Sequence, residues 1–560
     1  MHPDPPALRI LSRALAPLLA VASWLPAAPV AGEQRGSIEA GLKAHALFLA
    51  DDALRGRDTG TAEYEIAARY VAAELRETGL EPAGTDGGYL QPVRYRRSTL
   101  DVESARVVVH GGEGDVELAW KEDFLMGGDP GRAEAEVTAA VVFVGYGVAA
   151  PELGWDDFAG LDVEGKVLLQ LRGAPTAFPH DQRAFYSSGR TKQDLAVERG
   201  AAGILTMSTR DRLERVPWER SARDAGRPGL DWIDDDGSIR DYSPQIRGSA
   251  TLGPTGARRL LASAGRDYDE LLEAEASGTV EGFELPVEVT LARRTRHDEV
   301  TASNVVARLP GSDPDLAAEH VVYSAHLDHV GVGAEVDGDA IYNGLYDNAM
   351  GTAVLLQVAR LFAAQSRAPR RSILFLAVGG EEKGLLGSDY FAHHPTVPID
   401  SIVANVNLDM PLFLFPLSEV IAFGSEHSDL ERAVAAAAES VDWTLVEDPM
   451  PEETLFIRSD QYSFVRRGVP SVFVVTGFGS SDPEVEGRAV WRAFLSERYH
   501  TPQDQPGVPV DWPSAVAFTR MNHEIGRLIA EADEAPEWNE GDFFGERFGD
   551  HLSTATGTPP

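Results

Sequence analysis

Cysteine is absent from all 560 residues. Disulfides, thiol nucleophiles and thiolate metal sites are therefore excluded. Any metal must sit among His, Asp and Glu, a donor set that suits zinc, manganese or cobalt. Basic residues are scarce: 50 Lys and Arg stand against 88 Asp and Glu, a formal charge of −38. A nucleic-acid binder needs a basic face to displace counterions from phosphate, so no nucleic-acid partner is expected. The acidity reads as solubility or as adaptation to salt. Long apolar runs are also missing after the first residues, so no later segment is expected to cross a bilayer.

What is present is an ordinary globular composition, 43% hydrophobic and 25% charged. A chain of this length holds two or three units of about 100–200 residues. Arg9 and Arg13 flank the start of an apolar run from Ala14 to Leu25, followed by the small residues Ala27-Ala28-Pro29-Val30-Ala31-Gly32. The run is short for a membrane span of about 20 residues and fits the core of a secretory signal. Residues 1–32 are read as that signal, with a periplasmic or secreted product. An uncleaved anchor is the alternative.

Two helices are expected between Ser37 and Gly79. Ile38, Leu42, Leu47 and Leu49 supply apolar positions in the first. Ala67, Ala68, Val71, Ala72 and Leu75 recur at helical spacing in the second. Strands are expected at 139–144, 165–172 and 199–205, and loops from Arg210 to Gly248. From Asn304 the pattern is strand, loop, helix, repeated. Strands fall at Val321–Ala325, Ser372–Val378, Ile402–Leu408 and Ser471–Val475, with helices at Gly351–Phe362 and after Glu382. This alternation predicts an α/β fold with a mixed, mostly parallel sheet covered by helices on both faces. Ligands then bind beyond the carboxyl ends of the strands. The stretch after Ala532, rich in Gly, Pro, Asp and Glu, is expected to be a loose extension.

Five segments at those strand ends and adjoining loops carry chemistry. In Ser324-Ala325-His326-Leu327-Asp328, His326 offers an imidazole nitrogen, and Asp328 is placed to accept the other ring N–H. Asp347, in Tyr346-Asp347-Asn348, reads either as a helix cap or as a carboxylate spanning two metals about 3.5–4 Å apart. Glu381 and Glu382 follow an apolar strand, where acids are costly unless they bind something or reach water. As neighbours they point in different directions, so one can bind metal while the other faces a water. Asp409 stands at the end of the next strand, and His500 lies in Tyr499-His500-Thr501. His329 is expected to pack near the site, and His393 and His394 to face solvent.

In that order the segments resemble the two-zinc exopeptidases of metallopeptidase family twenty-eight, over about Asn304 to Asp504. The resemblance implies a zinc exopeptidase fold, with residues 33–130 and 286–532 forming the peptidase unit and 533–560 a tail. Residues 131–285 resemble an inserted, β-rich α/β protease-associated domain, through Val144-Gly145-Tyr146-Gly147, Gly165-Lys166-Val167 and Gly200-Ala201-Ala202-Gly203-Ile204. It implies two Zn2+, with Co2+ or Mn2+ as substitutes. His326 and Asp409 would hold one ion, Glu382 and His500 the other, and Asp347 would bridge them. Glu381 would be the general base, Asp328 the partner of His326, and Tyr499 a donor to the tetrahedral oxyanion. Tyr346 and Met350 depart from the family's usual residues beside Asp347.

The activity so implied is an aminopeptidase acting on peptides. A carboxypeptidase or dipeptidase of the same fold needs a cationic clamp for the substrate carboxylate, for which Arg458 and Arg498 are the nearest candidates. A non-catalytic binding protein and a one-zinc glutaminyl cyclase are the other readings. Retention of all five ligands and Glu381 argues against both.

Overall fold

A computed structural model describes residues 31–549 apart from Glu113, together with Met1. The signal read at 1–32 lies outside these residues except for Met1 and its last two, which begin the helix Ala31–Leu49. Among the described residues, no helix is long and apolar enough to cross a membrane.

The strand runs anticipated from the sequence form the centre of one large mixed sheet. Its order in this half is Thr444–Val446, Glu419–Phe423, Ser471–Thr476, Ile402–Leu408, His320–His326, Ser372–Val378 and Phe283–Leu309. His320–His326 lies parallel to both Ser372–Val378 and Ile402–Leu408, and Ile402–Leu408 parallel to Ser471–Thr476. Strands buried on both faces read as unbroken apolar runs. Val321, Tyr323 and Ala325 pack with the helices Ala31–Leu49, Met350–Ala363 and Trp512–Glu531. Val322 turns the other way, against Leu374, Leu376, Phe391 and Phe464. Because these strands are parallel, their carboxyl ends share one edge of the sheet.

Residues 134–285 extend the same sheet. Glu134–Phe143, Val167–Leu171, Gly203–Met207 and Gly248–Leu252 run parallel to one another. They join the first half through Phe283–Leu309, a strand of 27 residues. Its beginning pairs with Glu134–Phe143 and its end with Ser372–Val378. Leu90–Gly111 runs antiparallel along most of its length. The halves also share apolar core, since Leu169, Leu205 and Ala250 cluster with Ile421, Phe423 and Phe473.

Two expectations are corrected. The stretch from Arg210 to Gly248 is not all loop. It holds the helices Arg210–Arg215 and Trp218–Arg223 and the strand Gly229–Trp232, which pairs with Tyr95–Ser98. Helices of six residues are too short for apolar periodicity to register. The stretch after Ala532 is docked rather than loose as far as it is described. Trp538 donates its indole N–H to the Gly468 carbonyl at 2.8 Å. Asp542 caps the helix Phe543–Phe548, and Phe544 is fully buried against Phe456 and Tyr462.

Candidate metal centre

The acidic groups and His326 arrive from strand ends or the loops and turns beyond them, and His500 from the loop after a helix. His326 is the last residue of its strand, and Asp409 is one past Leu408. Glu381 and Glu382 form a single tight turn after Val378-Gly379-Gly380. Asp347 lies in the irregular segment Leu345–Ala349 ahead of the helix Met350–Ala363. His500 follows the helix Gly487–Glu497 and adopts a positive φ of 55°.

These elements bring the five expected ligands together. His326 Nε2 is 3.0 Å from Asp409 Oδ1 and 3.2 Å from Asp347 Oδ1. On the other side, His500 Nε2 is 3.2 Å from Asp347 Oδ2 and 3.1 Å from Glu382 Oε2. The two oxygens of Asp347 thus face two different imidazoles. Asp347 does not cap the following helix, whose first turn makes no side-chain cap bond at its start. Asn348 instead accepts the Gly351 N–H at 3.0 Å.

Several supporting contacts go beyond what the sequence indicated. His329 is fully buried, with Nδ1 2.6 Å from Glu382 Oε1 and 3.7 Å from Asp347 Oδ2, so it stands inside the centre. The Asp504 carboxylate accepts the backbone N–H groups of Tyr346 and Asp347, each at 3.1 Å. Ser459 donates its hydroxyl to Asp409 Oδ2 at 2.7 Å and accepts from the Asn407 amide at 2.8 Å. Arg57, fully buried, donates to the carbonyls of Leu49, Leu327, Asn343 and Gly344. Gly344 is obligatory: at φ 58° an added Cβ would come within 2.0 Å of the Asp347 carbonyl oxygen and 2.5 Å of His329 Cγ.

Asp328 stands differently from expectation. The acceptor nearest His326 Nδ1 is the Asp328 carbonyl at 3.1 Å, while the Asp328 carboxylate lies 3.8 Å away. That carboxylate accepts the Glu381 backbone N–H at 3.3 Å. It therefore positions the Glu381 turn, because the chain reverses tightly enough for the main-chain oxygen to reach the ring first. Tyr499 stacks on His500, with ring centroids 3.9 Å apart. His393 is also partly enclosed, hydrogen-bonded to Arg240 and set against Trp232.

The electrostatics follow from burying so many acids. Burial alone would depress His326 and His500, but Asp409 beside the first and Glu382 beside the second hold both well above the ordinary imidazole range. Burial works against ionisation of Asp347, yet His329, His326 and His500 keep it well below the usual carboxylate range. Glu381 moves the opposite way: burial, then Asp409, Glu382 and Asp460, push it well above. Burial also raises Asp460 to about 7 and Asp328 to about 6.

The donors fit a pair of divalent cations. His326, Asp347 and Asp409 form one group with donor atoms within 4.8 Å of one another, and His329, Asp347 and Glu382 form a second, with Asp347 in both. His329 Nδ1 faces Glu382 Oε1 at 2.6 Å, and its other nitrogen, Nε2, is buried without a hydrogen-bond partner. Imidazole and carboxylate without sulfur suit zinc, manganese or cobalt. Beside the centre lies an apolar cavity of about 330 Å³, lined by Met410, Phe473, Trp491, Leu495, Tyr499 and His500. Arg212, Arg215 and Arg458 also reach it. Glu381 and Arg458 face a second cavity of about 300 Å³.

The model of peptidase family M28 matches residues 304–525. A probable zinc metalloprotease of Leptosphaeria maculans is 35% identical over 145 residues, covering 26% of this chain and 31% of that protein. A vacuolar membrane protease of Yarrowia lipolytica is 29% identical over 155 residues, covering 27% of this chain and 15% of that one. The chain thus spans less than a third of the length of these curated relatives. An aminopeptidase from Aneurinibacillus sp. strain AM-1 has the same fold, with a TM-score of 0.51 at 17% identity, over 90% of this chain and 95% of that one.

Proposed function

Because the chain belongs to peptidase family M28 through residues 304–525, we propose that it is an exported dizinc aminopeptidase that removes residues from the amino end of peptides. One observation carries the reading: Asp347 directs one oxygen at His326 and the other at His500, as a carboxylate bridging two cations would. His326 and Asp409 would hold one ion. Glu382 and His500 would hold the other, with His329 against the same carboxylate. The zinc named in the relatives is the cation assigned here, and Co2+ or Mn2+ would substitute. When bound, the pair supplies Lewis acidity for the scissile carbonyl and makes water a better nucleophile at neutral pH.

The remaining steps belong to side chains. Glu381 accepts the proton of the attacking water and delivers it to the leaving amine. Asp328 holds the Glu381 turn through its backbone N–H. Tyr499, stacked on His500 and lining the apolar cavity, would donate to the developing oxyanion. The carboxylates of the centre attract a protonated amino terminus, and the cavity accepts a bulky apolar side chain. Residues 131–285 are assigned as a protease-associated insert, whose Arg212, Arg215 and Arg220 contribute to the lining of that cavity. The apolar run near the amino end is assigned to export, to the periplasm or beyond.

A second reading, carboxypeptidase or dipeptidase, is favoured by Arg212 and Arg458, which line the cavity and could clamp a substrate carboxylate. Arg498, the other candidate, instead donates to the Gln503 carbonyl. Chromogenic leucyl and phenylalanyl amides, free or acetylated at the amino end, decide between them. Cleavage of the free series alone is expected. It should fall by about 10²–10⁴-fold in Glu381→Gln, the usual contribution of a general base, while metal content is unchanged. Cleavage of acetylated peptides from the carboxyl end would replace this reading with the second.

A further inference from the structure

Away from the centre around Asp347, a second set of histidine and carboxylate groups converges where three parts of the chain meet. Asp181 comes from the helix His180–Ser187, Glu426 and His427 from the turn Ser425–His427, and Asp542 from the cap of the last described helix. Asp181, His427 and Asp542 place donor atoms within 4.8 Å of one another.

His427 is 2% exposed, and its Nε2 has no hydrogen-bond partner. A buried, unpartnered ring nitrogen is costly unless something unseen satisfies it. Its surroundings say what. Nδ1 lies 2.7 Å from Asp542 Oδ2, whose other oxygen accepts the Gly545 N–H. A carboxylate on Nδ1 fixes the tautomer that leaves the Nε2 lone pair free, the arrangement found behind metal-ligating histidines. Nε2 points at Asp181 Oδ1, 3.8 Å away, and Glu426 Oε1, 3.9 Å away. Those gaps are too long for hydrogen bonds. They are close to the roughly 3.4 Å that separates two donors each about 2.1 Å from a tetrahedral ion. Next to this cluster, His180 Nε2 and Asp448 Oδ2 stand 3.6 Å apart, and both are likewise buried without partners.

We propose that His427 Nε2 and Asp181 hold a separate site for a zinc-class divalent cation, with Asp542 fixing the imidazole in its ligating tautomer and Glu426, beside the same nitrogen, as the further carboxylate that draws the ion in. One nitrogen with carboxylate oxygens selects zinc, cobalt or manganese over calcium, which takes oxygen donors. The cation ties the helix His180–Ser187 to the turn Ser425–His427 and, through Asp542, to the docked stretch after Ala532. Its role is structural: it shares no ligand with the Asp347 centre.

The test is a zinc count on the full chain, stripped with chelator, refilled with zinc, gel-filtered and analysed by atomic emission. Wild type is compared with Asp181→Asn and Glu426→Gln, both partly exposed positions whose replacement leaves packing intact, and with His427→Gln. Each variant is expected to carry one zinc fewer than wild type, or to bind that ion at least tenfold more weakly. Each should also lose part of the rise in Tm that zinc gives wild type. The readout is a difference, so it holds whatever number of ions the Asp347 centre takes. Equal zinc content and equal zinc-induced Tm shifts in wild type, Asp181→Asn and Glu426→Gln would mean that His427 holds only a proton between its acids, and would overturn the proposal.

Discussion

Ser459→Ala isolates one support of the candidate metal centre. The Ser459 hydroxyl donates to Asp409 Oδ2 at 2.7 Å and is 2% exposed. Replacing it removes one oxygen and leaves a buried carboxylate oxygen without its donor. A hydrogen bond to a charged group contributes about 1.5–3 kcal/mol. Asn407 keeps a partner, since its amide also reaches Gln461 at 3.1 Å, so the loss is confined to Asp409. The expected cost in folding stability is therefore about 1.5–3 kcal/mol, measured by urea unfolding of the metal-free protein. Freed from Ser459, Asp409 no longer holds one oxygen toward His326 Nε2, and zinc affinity should fall about 10–100-fold, the usual effect of removing such an outer contact. Competition against a chromophoric chelator measures this, and the ion affected should be the one assigned to His326. A stability loss with zinc affinity within twofold of wild type would show that the bond serves packing alone, and would refute the claim that Ser459 orients Asp409.

Gly344→Ala should destabilise by about 2–4 kcal/mol, combining left-handed strain with overpacking against the Asp347 carbonyl and His329, and chelator titration should show weakened metal binding. A Lys192→Met variant tests linkage away from the centre. Burial lowers Lys192 to about 7, so between pH ~7 and ~10.5 the unfolded chain holds a proton that the folded one lacks. Stability from this group rises with pH across that window and the penalty is complete below it. In Lys192→Met, urea melts should show that rise reduced and higher stability at pH 7. Leu495→Asp, in the apolar cavity, should lower kcat/KM for phenylalanyl amides by about 10–100-fold while sparing alanyl amides, a pattern expected from loss of apolar side-chain binding. Equal losses on both would place the side-chain pocket elsewhere.

The central strands and the meeting of the five candidate ligands were legible because their signals are local. An apolar run such as Ser372–Val378 ends in glycines and acids, and the parallel fold carries those ends to one edge. Asp328 illustrates the limit of such reasoning. Its position two residues after His326 was readable, but whether carbonyl or carboxylate meets Nδ1 depends on backbone torsions. His329 looked like a neighbour and is an occupant, since only the packed loop turns it onto Glu382. Ser459, Asp504 and Arg57 act across 50, 157 and 270 residues of chain, and no spacing rule reaches that far. The docked stretch at Trp538 and Phe544 was masked by its polar composition, which outweighs a few aromatic anchors in any average.

The 27-residue strand Phe283–Leu309 and its partner Leu90–Gly111 have a consequence for anyone wishing to trim the molecule. Cutting out residues 131–285 would not lift off an appendage at a linker. It would end the chain partway along a shared ribbon and leave the last part of Leu90–Gly111 and the stub of Phe283–Leu309 protruding as bare, adhesive edges. Minimal versions of the chain are therefore expected to precipitate, and a proteolytic nick among residues 210–248 should leave both fragments travelling together through gel filtration.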